Sequence, residues 1–406
     1  MPISDTRGNE RRAGVPQGLT VVIASFLPIM AIVALFPAVP SIIAHFHDDP
    51  GASWKVPWMV TAPGLAIAII APFAGVLCDR FGRRRLLLWS TFFYGVLGSA
   101  PFIITSLNAL FASRVLLGVC EAFILTVLNT VIGDYWDEQG RRHWLSIQGA
   151  LGPLLASGLI LASGFLTAMR WNGVFLVYLC AFPIYLAMLA FVFEPHGDAR
   201  RAEEAAEAAS ERQHFPVATV TMIGLVTLFT SIVYYVFIVN GGLAFAEVGV
   251  TTPDRLAKIT VLPSLFVCVG AGVFWLTARF GYAVQLAAVL ILMGIGYVCM
   301  GAATDWRWMA VSLCIQQAGT GMAVPGLIAW AQRLLPFEHR GRGMGVWAAC
   351  FFLGQFISPP CVALVKAAIG SMQGAFVVAG FVAVAGAFVV LVLVKRGSVS
   401  GGPVPA

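Results

Sequence analysis

The sequence predicts an all-α membrane protein: twelve transmembrane helices in two six-helix bundles. Three observations carry that prediction. Of 406 residues, 59% are hydrophobic and only 11% charged, where a soluble domain carries about 25% charged residues. The apolar residues form continuous runs of about 20 or more, the length a helix needs to cross a bilayer, not the alternation of a β-barrel. Short basic motifs also recur about 200 residues apart, at the same loop of each half. A soluble enzyme with a single anchor is excluded, and little chain is left for a domain outside the membrane.

The apolar runs fall at 19–44, 54–77, 85–105, 108–133, 142–166, 172–193, 217–246, 257–279, 283–303, 307–334, 343–368 and 372–394. They divide the chain into a tail (1–18), a bundle (19–193), a linker (194–216), a second bundle (217–394) and a tail (395–406). The first run is too long for a signal-peptide core and is expected to be retained. The seventh carries Asn240-Gly241-Gly242, which predicts a kink or break. The linker is rich in Ala and Glu, with good helix propensity.

Lysine and arginine set the orientation. With the N-terminus inside, the inner segments hold eighteen basic residues and the outer ones six, which places both termini in the cytoplasm. The net charge of +6 is thereby explained by topology, and no nucleic-acid partner is expected. The eight cysteines show no metal-ligand spacing, so neither a metal nor another cofactor is expected.

The loop after the second span reads Gly75-Val76-Leu77-Cys78-Asp79-Arg80-Phe81-Gly82-Arg83-Arg84-Arg85. Its echo, Ala278-Arg279-Phe280-Gly281, lies 199 residues on, and Gly140-Arg141 returns as Gly341-Arg342 after 201. Six spans per repeat is a transporter architecture, with the substrate site between the halves near the midplane. The run G-x-x-x-D-R-x-G-R-R-R resembles the signature motif of the major facilitator superfamily. That resemblance covers residues 18–395 and implies the major facilitator fold, alternating access, and a gating role for Gly75, Asp79, Arg80, Gly82, Arg83 and Arg84. The second-half copy has Ala278 in place of the acid, so the role is not carried there.

Two more stretches are similar to proton-coupled antiporters of that superfamily. One is Arg114-Val115-Leu116-Leu117-Gly118-Val119-Cys120-Glu121-Ala122. The other is an antiporter-like fifth span with Gly149, Gly152, Pro153 and Gly158, which departs from the family by Ala156-Ser157-Gly158 where paired glycines are expected. The resemblance points to the bacterial drug:proton antiporter branch.

The buried charges read the same way from physics alone. Glu121 is the one acid deep in a span, where a charge costs about 2.5–3.5 kcal/mol and marks function by default. Arg114 lies seven residues earlier, on the same helical face but about 10.5 Å away along the axis, too far for a direct bond. Proton coupling through Glu121 and Arg114 stands beside a purely structural pairing. Candidate pocket residues are Phe26, Asn129, Gln148, Tyr234, Tyr235, Asn240, Gln316, Gln317, Trp330 and Gln355, with Phe237 beside them. The expected protein is a monomeric, multi-pass plasma-membrane (bacterial inner-membrane) transporter. It would export a small organic or amphipathic molecule against protons, and it would not be an enzyme. A proton symporter or uniporter importing a small metabolite is the alternative.

Overall fold

The structure is a computed structural model that describes residues 13–194, 215–336 and 339–400. No strand occurs among the described residues. Twelve helical elements follow one another: α1 (Val15–His45), α2 (Ala52–Phe81), α3 (Arg83–Ser99), α4 (Leu107–Tyr135), α5 (Glu138–Met169) and α6 (Gly173–Phe191) in the first half. The second half has α7 (Val217–Glu247), α8 (Pro253–Leu276), α9 (Gly281–Gly301), α10 (Trp306–Leu334), α11 (Arg340–Ile369) and α12 (Met372–Ser400). Eleven are long and apolar enough to cross a membrane on their own. The other, α3, has 17 residues and opens on three arginines. The 194–216 linker lies, from 195 to 214, outside the described residues.

The break expected in α7 is absent, and α1 is broken instead. α7 is one helix from Val217 to Glu247. The Asn240 amide donates to the Val236 carbonyl one turn back, at 3.1 Å. A Cβ on Gly241 would overlap the Phe237 ring, and one on Gly242 would press on Pro40. These small residues serve close packing, not a bend. α1 is helical only over Val15–Ala24, Leu27–Val33 and Val39–His45, with a 3-10 turn at Phe36–Ala38. Pro28, Pro37 and Pro40 cannot donate backbone hydrogen bonds, and in lipid every carbonyl so freed needs another partner. Hydroxyls from other helices reach neighbouring carbonyls of this interrupted stretch. Tyr94 donates to Leu27 O, Tyr178 to Ala31 O at 2.9 Å, and Ser163 to Ala34 O.

The repeat read from the sequence is visible in the backbone. Gly82 and Gly281 hold φ of 86° and 77°, a region costly for any residue with a Cβ. Each makes the turn from the second to the third helix of its half. Tyr94 on α3 bonds a carbonyl of α1, and Tyr297 on α9 bonds Val233 O of α7 at 2.8 Å. Third and first helices are thus tied alike in both halves.

The named contacts between halves lie in the middle or in the parts away from the arginine-rich loops. Trp58 of α2 meets Phe356 of α11 with ring centroids 5.2 Å apart. The Ser157 and Ser264 hydroxyls, on α5 and α8, are 2.8 Å apart. Phe36 and Phe237 meet at 5.1 Å. Nearer the basic loops, the positions beside Gly149, Gly272 and Gly345 are open space. Among the described residues, the named contacts between halves thus lie away from the basic end.

Within the second half, α8 and α10 approach backbone to backbone. A Cβ on Gly321 would overlap the Val267 carbonyl, and one on Gly270 the Ala318 carbonyl. Gly321→Val should therefore cost about 2 kcal/mol or more by overpacking. The expected readout is a melting temperature several degrees lower in detergent; an unchanged melting curve would mean that this contact is soft.

Candidate functional site

A cavity of about 270 Å³ lies between the halves. Its first-half wall is Ile29, Val33 and Phe36 of α1 with Gly152, Pro153, Ala156 and Ile160 of α5. Its second-half wall is Tyr234, Phe237 and Ile238 of α7, Thr260, Ser264 and Val267 of α8, and Gln317 and Thr320 of α10. None of these is charged. The Phe36–Phe237 contact joins the two walls.

The predicted pocket residues divide. Tyr234, Gly152, Pro153, Phe237 and Gln317 line the cavity. Phe26 stands next to it: a Cβ on Gly152 would lie 3.2 Å from its ring. Tyr235 packs against Tyr234 and Phe351. Gln316 is fully buried, its NH2 group donating to Tyr297 at 3.1 Å and to Thr320 at 2.9 Å while its Oε1 has no partner. Asn240 back-bonds within its own helix, Trp330 is core, and Gln355 is buried beside Gly64. Gln148 keeps a buried Oε1 without a partner. Gly149 and Gly158 are exposed with open space beside them. Asn129 lies on α4 with its side chain outside the described residues, and so do Gly75 and Asp79 on α2. Phe36, Thr260, Ser264 and Thr320 were not singled out by the sequence. Thr260 and Ser264 are one turn apart on α8 just where Pro263 kinks it, and that spacing was the available signal.

Arg114 is wholly buried. One of its guanidinium nitrogens donates to Leu97 O at 2.7 Å and Gly98 O at 3.0 Å, at the C-terminal end of α3, where a helix favours a cation. The guanidinium also lies 4.9 Å from the Tyr178 ring centroid and 5.2 Å from that of Phe175. Gly98 makes this possible, because a Cβ there would overlap the Tyr178 ring. Nη1 of Arg114 has no hydrogen-bond partner, and neither has Oε1 of Glu121, which is 2% exposed. No direct bond joins the two, in keeping with their spacing along α4. Glu121 is in electrostatic range of Tyr94, Tyr178 and Tyr235, so it sits where α4 faces both α1's tether and α7.

At the basic end the signature arginines bind within their own half. Arg83 pairs with Asp134 of α4. Arg84 donates to Val192 O at 2.6 Å and Leu189 O at 3.0 Å, the C-terminal end of α6. In return the Glu194 carboxylate, just beyond α6, accepts the backbone N–H groups of Arg83 and Arg84 at 2.7 and 2.8 Å. Each helix end thus receives the charge its dipole favours. Arg80 is exposed, 5.9 Å from the Phe81 ring centroid. In this state the motif staples α3, α4 and α6 together.

Comparison with known proteins agrees with this geometry. The family model described as Major Facilitator Superfamily matches residues 21–280 and 259–405. The chain is 26% identical over 351 residues to the tetracycline resistance protein, class C, of Escherichia coli, covering 83% of this chain and 86% of that one. It is 32% identical over 160 residues to the multidrug efflux pump LfrA of Mycolicibacterium smegmatis, covering 37% of this chain and 29% of that one. Its fold is similar to the crystal structure of a D-xylose-proton symporter, with TM-score 0.77 at 14% identity, over 92% of this chain and 96% of that one.

Replacing the Glu194 cap should cost about 1 kcal/mol. Glu194→Ala is expected to lower the melting temperature of the purified protein, and Glu194→Gln, which keeps an acceptor, to lower it less. Equal melting of all three proteins would show that the staple carries no stability.

Proposed function

The chain belongs to the major facilitator superfamily, and on that premise we propose that it exports a small, organic or amphipathic molecule in exchange for protons. It is a membrane transporter and not an enzyme, as its relatives are. The observation that carries the reading is the pairing of two features: an uncharged cavity between the halves and a buried carboxylate, Glu121, on α4. A site between the halves is where alternating access places the substrate. Glu121, with one oxygen unpartnered, is the group proposed to take up and release the proton. Arg114, tied to α3, is proposed to set the field in which that happens.

The basic end is assigned to the cytoplasm by the excess of Lys and Arg, and the named contacts between halves, which lie away from that end, support an inward-facing reading. Asp79, Arg80, Arg83 and Arg84 are assigned to gating, with Gly75 and Gly82 shaping the turn. In the inward-facing state Arg83 and Arg84 hold their own half rigid. Gly149, Gly152, Pro153 and Gly158 are assigned to the bending of α5 as the halves rock. The efflux direction is supported by the names of the relatives, a tetracycline resistance protein and a multidrug efflux pump. A monomer in a bacterial inner membrane, with both termini inside, completes the reading.

The test is substrate-dependent proton flux in proteoliposomes, read by an internal pH dye across a panel of amphipathic compounds. At least one compound should move protons with wild-type protein. If none does, coupling to protons is wrong. With such a compound in hand, Glu121→Gln should abolish uphill transport while binding survives, because the amide keeps size and polarity but cannot titrate. Uphill transport by Glu121→Gln at the wild-type rate would move the proton carrier elsewhere.

Arg114→Lys should transport better than Arg114→Ala, and both worse than wild type. The planar fork reaches two carbonyls and two rings, which an ammonium cannot match. Equal rates for lysine and alanine would remove the fork from the argument.

A further inference from the structure

The cavity's polar side chains are unequal in what they leave for a ligand. The Thr260 hydroxyl donates to Leu256 O at 2.8 Å. Ser264 donates to Val261 O at 2.6 Å and pairs with Ser157. Thr320 donates to Gln316 O at 3.0 Å and faces the Gln316 amide. The hydroxyl protons of these groups are committed to backbone carbonyls, which leaves acceptor lone pairs but no donor for a ligand. The Gln317 amide and the Tyr234 hydroxyl line the same cavity with no hydrogen-bond partner among the described residues.

Gln317 is 9% exposed, and it lines the cavity. A ligand that displaces water from the amide must pair it, because an amide desolvated without a partner is costly. An amide offers two donors and one acceptor side by side. Its best complement is a group presenting an acceptor and a donor in the same plane. The rest of the wall is aliphatic and aromatic, with the Phe36–Phe237 pair and the Tyr234 ring offering faces that favour a flat ligand. No charged side chain lines the cavity among the described residues. An ion entering it would be desolvated without a counter-charge.

We propose that this cavity selects uncharged, planar compounds that carry an adjacent donor and acceptor, such as an aryl carboxamide, and that Gln317 is the side chain that determines this choice. Tyr234 is the second hydrogen-bonding group, and the aromatic pair sets planarity. The proposal rests on the reading of the cavity as the substrate site. It is independent of how transport is energised.

The experiment is equilibrium binding to the purified full chain in lipid nanodiscs, with no pH gradient. The probes are four tritiated compounds of one shape: naphthamide, naphthoate, naphthylmethylammonium and methylnaphthalene. Naphthamide should bind at least about tenfold more tightly than either charged analogue. Gln317→Leu should weaken naphthamide by about fivefold to tenfold, the worth of one or two neutral hydrogen bonds, and leave methylnaphthalene unchanged. Gln317→Asn, which keeps the amide but withdraws it by one methylene, should fall between and serves if the leucine variant does not purify as a folded protein.

The proposal is overturned if naphthamide does not bind, if either ion binds as tightly, or if both variants bind naphthamide like wild type. A protein that binds as expected but moves no protons in proteoliposomes refutes the coupled-export reading and leaves this one standing. Proton-coupled transport of charged compounds alone does the reverse.

Discussion

The obligation to satisfy every backbone polar group inside a bilayer governs this structure. It is felt most at α1, where Pro28, Pro37 and Pro40 interrupt the hydrogen-bond ladder. Beside those interruptions, Tyr94, Tyr178 and Ser163 bond the Leu27, Ala31 and Ala34 carbonyls from α3, α6 and α5. Those hydroxyls in turn fix where the neighbouring helices lie. Tyr178 is also the ring beneath Arg114, and Gly98 gives that ring its room. The ring that the buried arginine faces is thus also a tie to α1.

The two halves are built to stay whole while the surface between them changes. Inside each half the helices meet backbone to backbone at glycines, as Gly118 does with Pro63 and Gly321 with Val267. At the basic end, opposite charges on Arg84 and Glu194 tie α3 to α6. Among the described residues, the hydrogen bond named between halves is the hydroxyl pair of Ser157 and Ser264, and aromatic contacts accompany it. Separating such contacts breaks few directional bonds. The arrangement suits rigid-body rocking.

The architecture was legible in the sequence because bilayer length and hydropathy are strong, additive signals. The repeat was legible because Gly82 and Gly281 sit at turns that demand a positive φ. Interior detail was less so. Asn240-Gly241-Gly242 looks like a break, but Phe237 and Pro40 fill the space the glycines leave, which only the packed structure shows. The neighbours Gln316 and Gln317 are indistinguishable by type. A helical step of about 100° turns one toward Tyr297 and the other into the cavity. Thr260 and Ser264 were passed over because short hydroxyl side chains in a span ordinarily bond back to their own helix, and these do so while also lining the wall.

The unequal first helices of the two halves have a mechanical consequence. α7 is a single rod of 31 residues, whereas α1 is three helical pieces and a turn. Both contribute to the cavity, α7 as a continuous rod and α1 as a jointed one. Under load, compliance concentrates in α1, at the joints around Phe26 and Phe36. A ligand slightly too large for the cavity would be accommodated by α1 yielding, with α7 acting as the fixed jaw. With the cavity taken as the proposed substrate site, the first half would set how much size variation is tolerated and the second which chemistry is recognised.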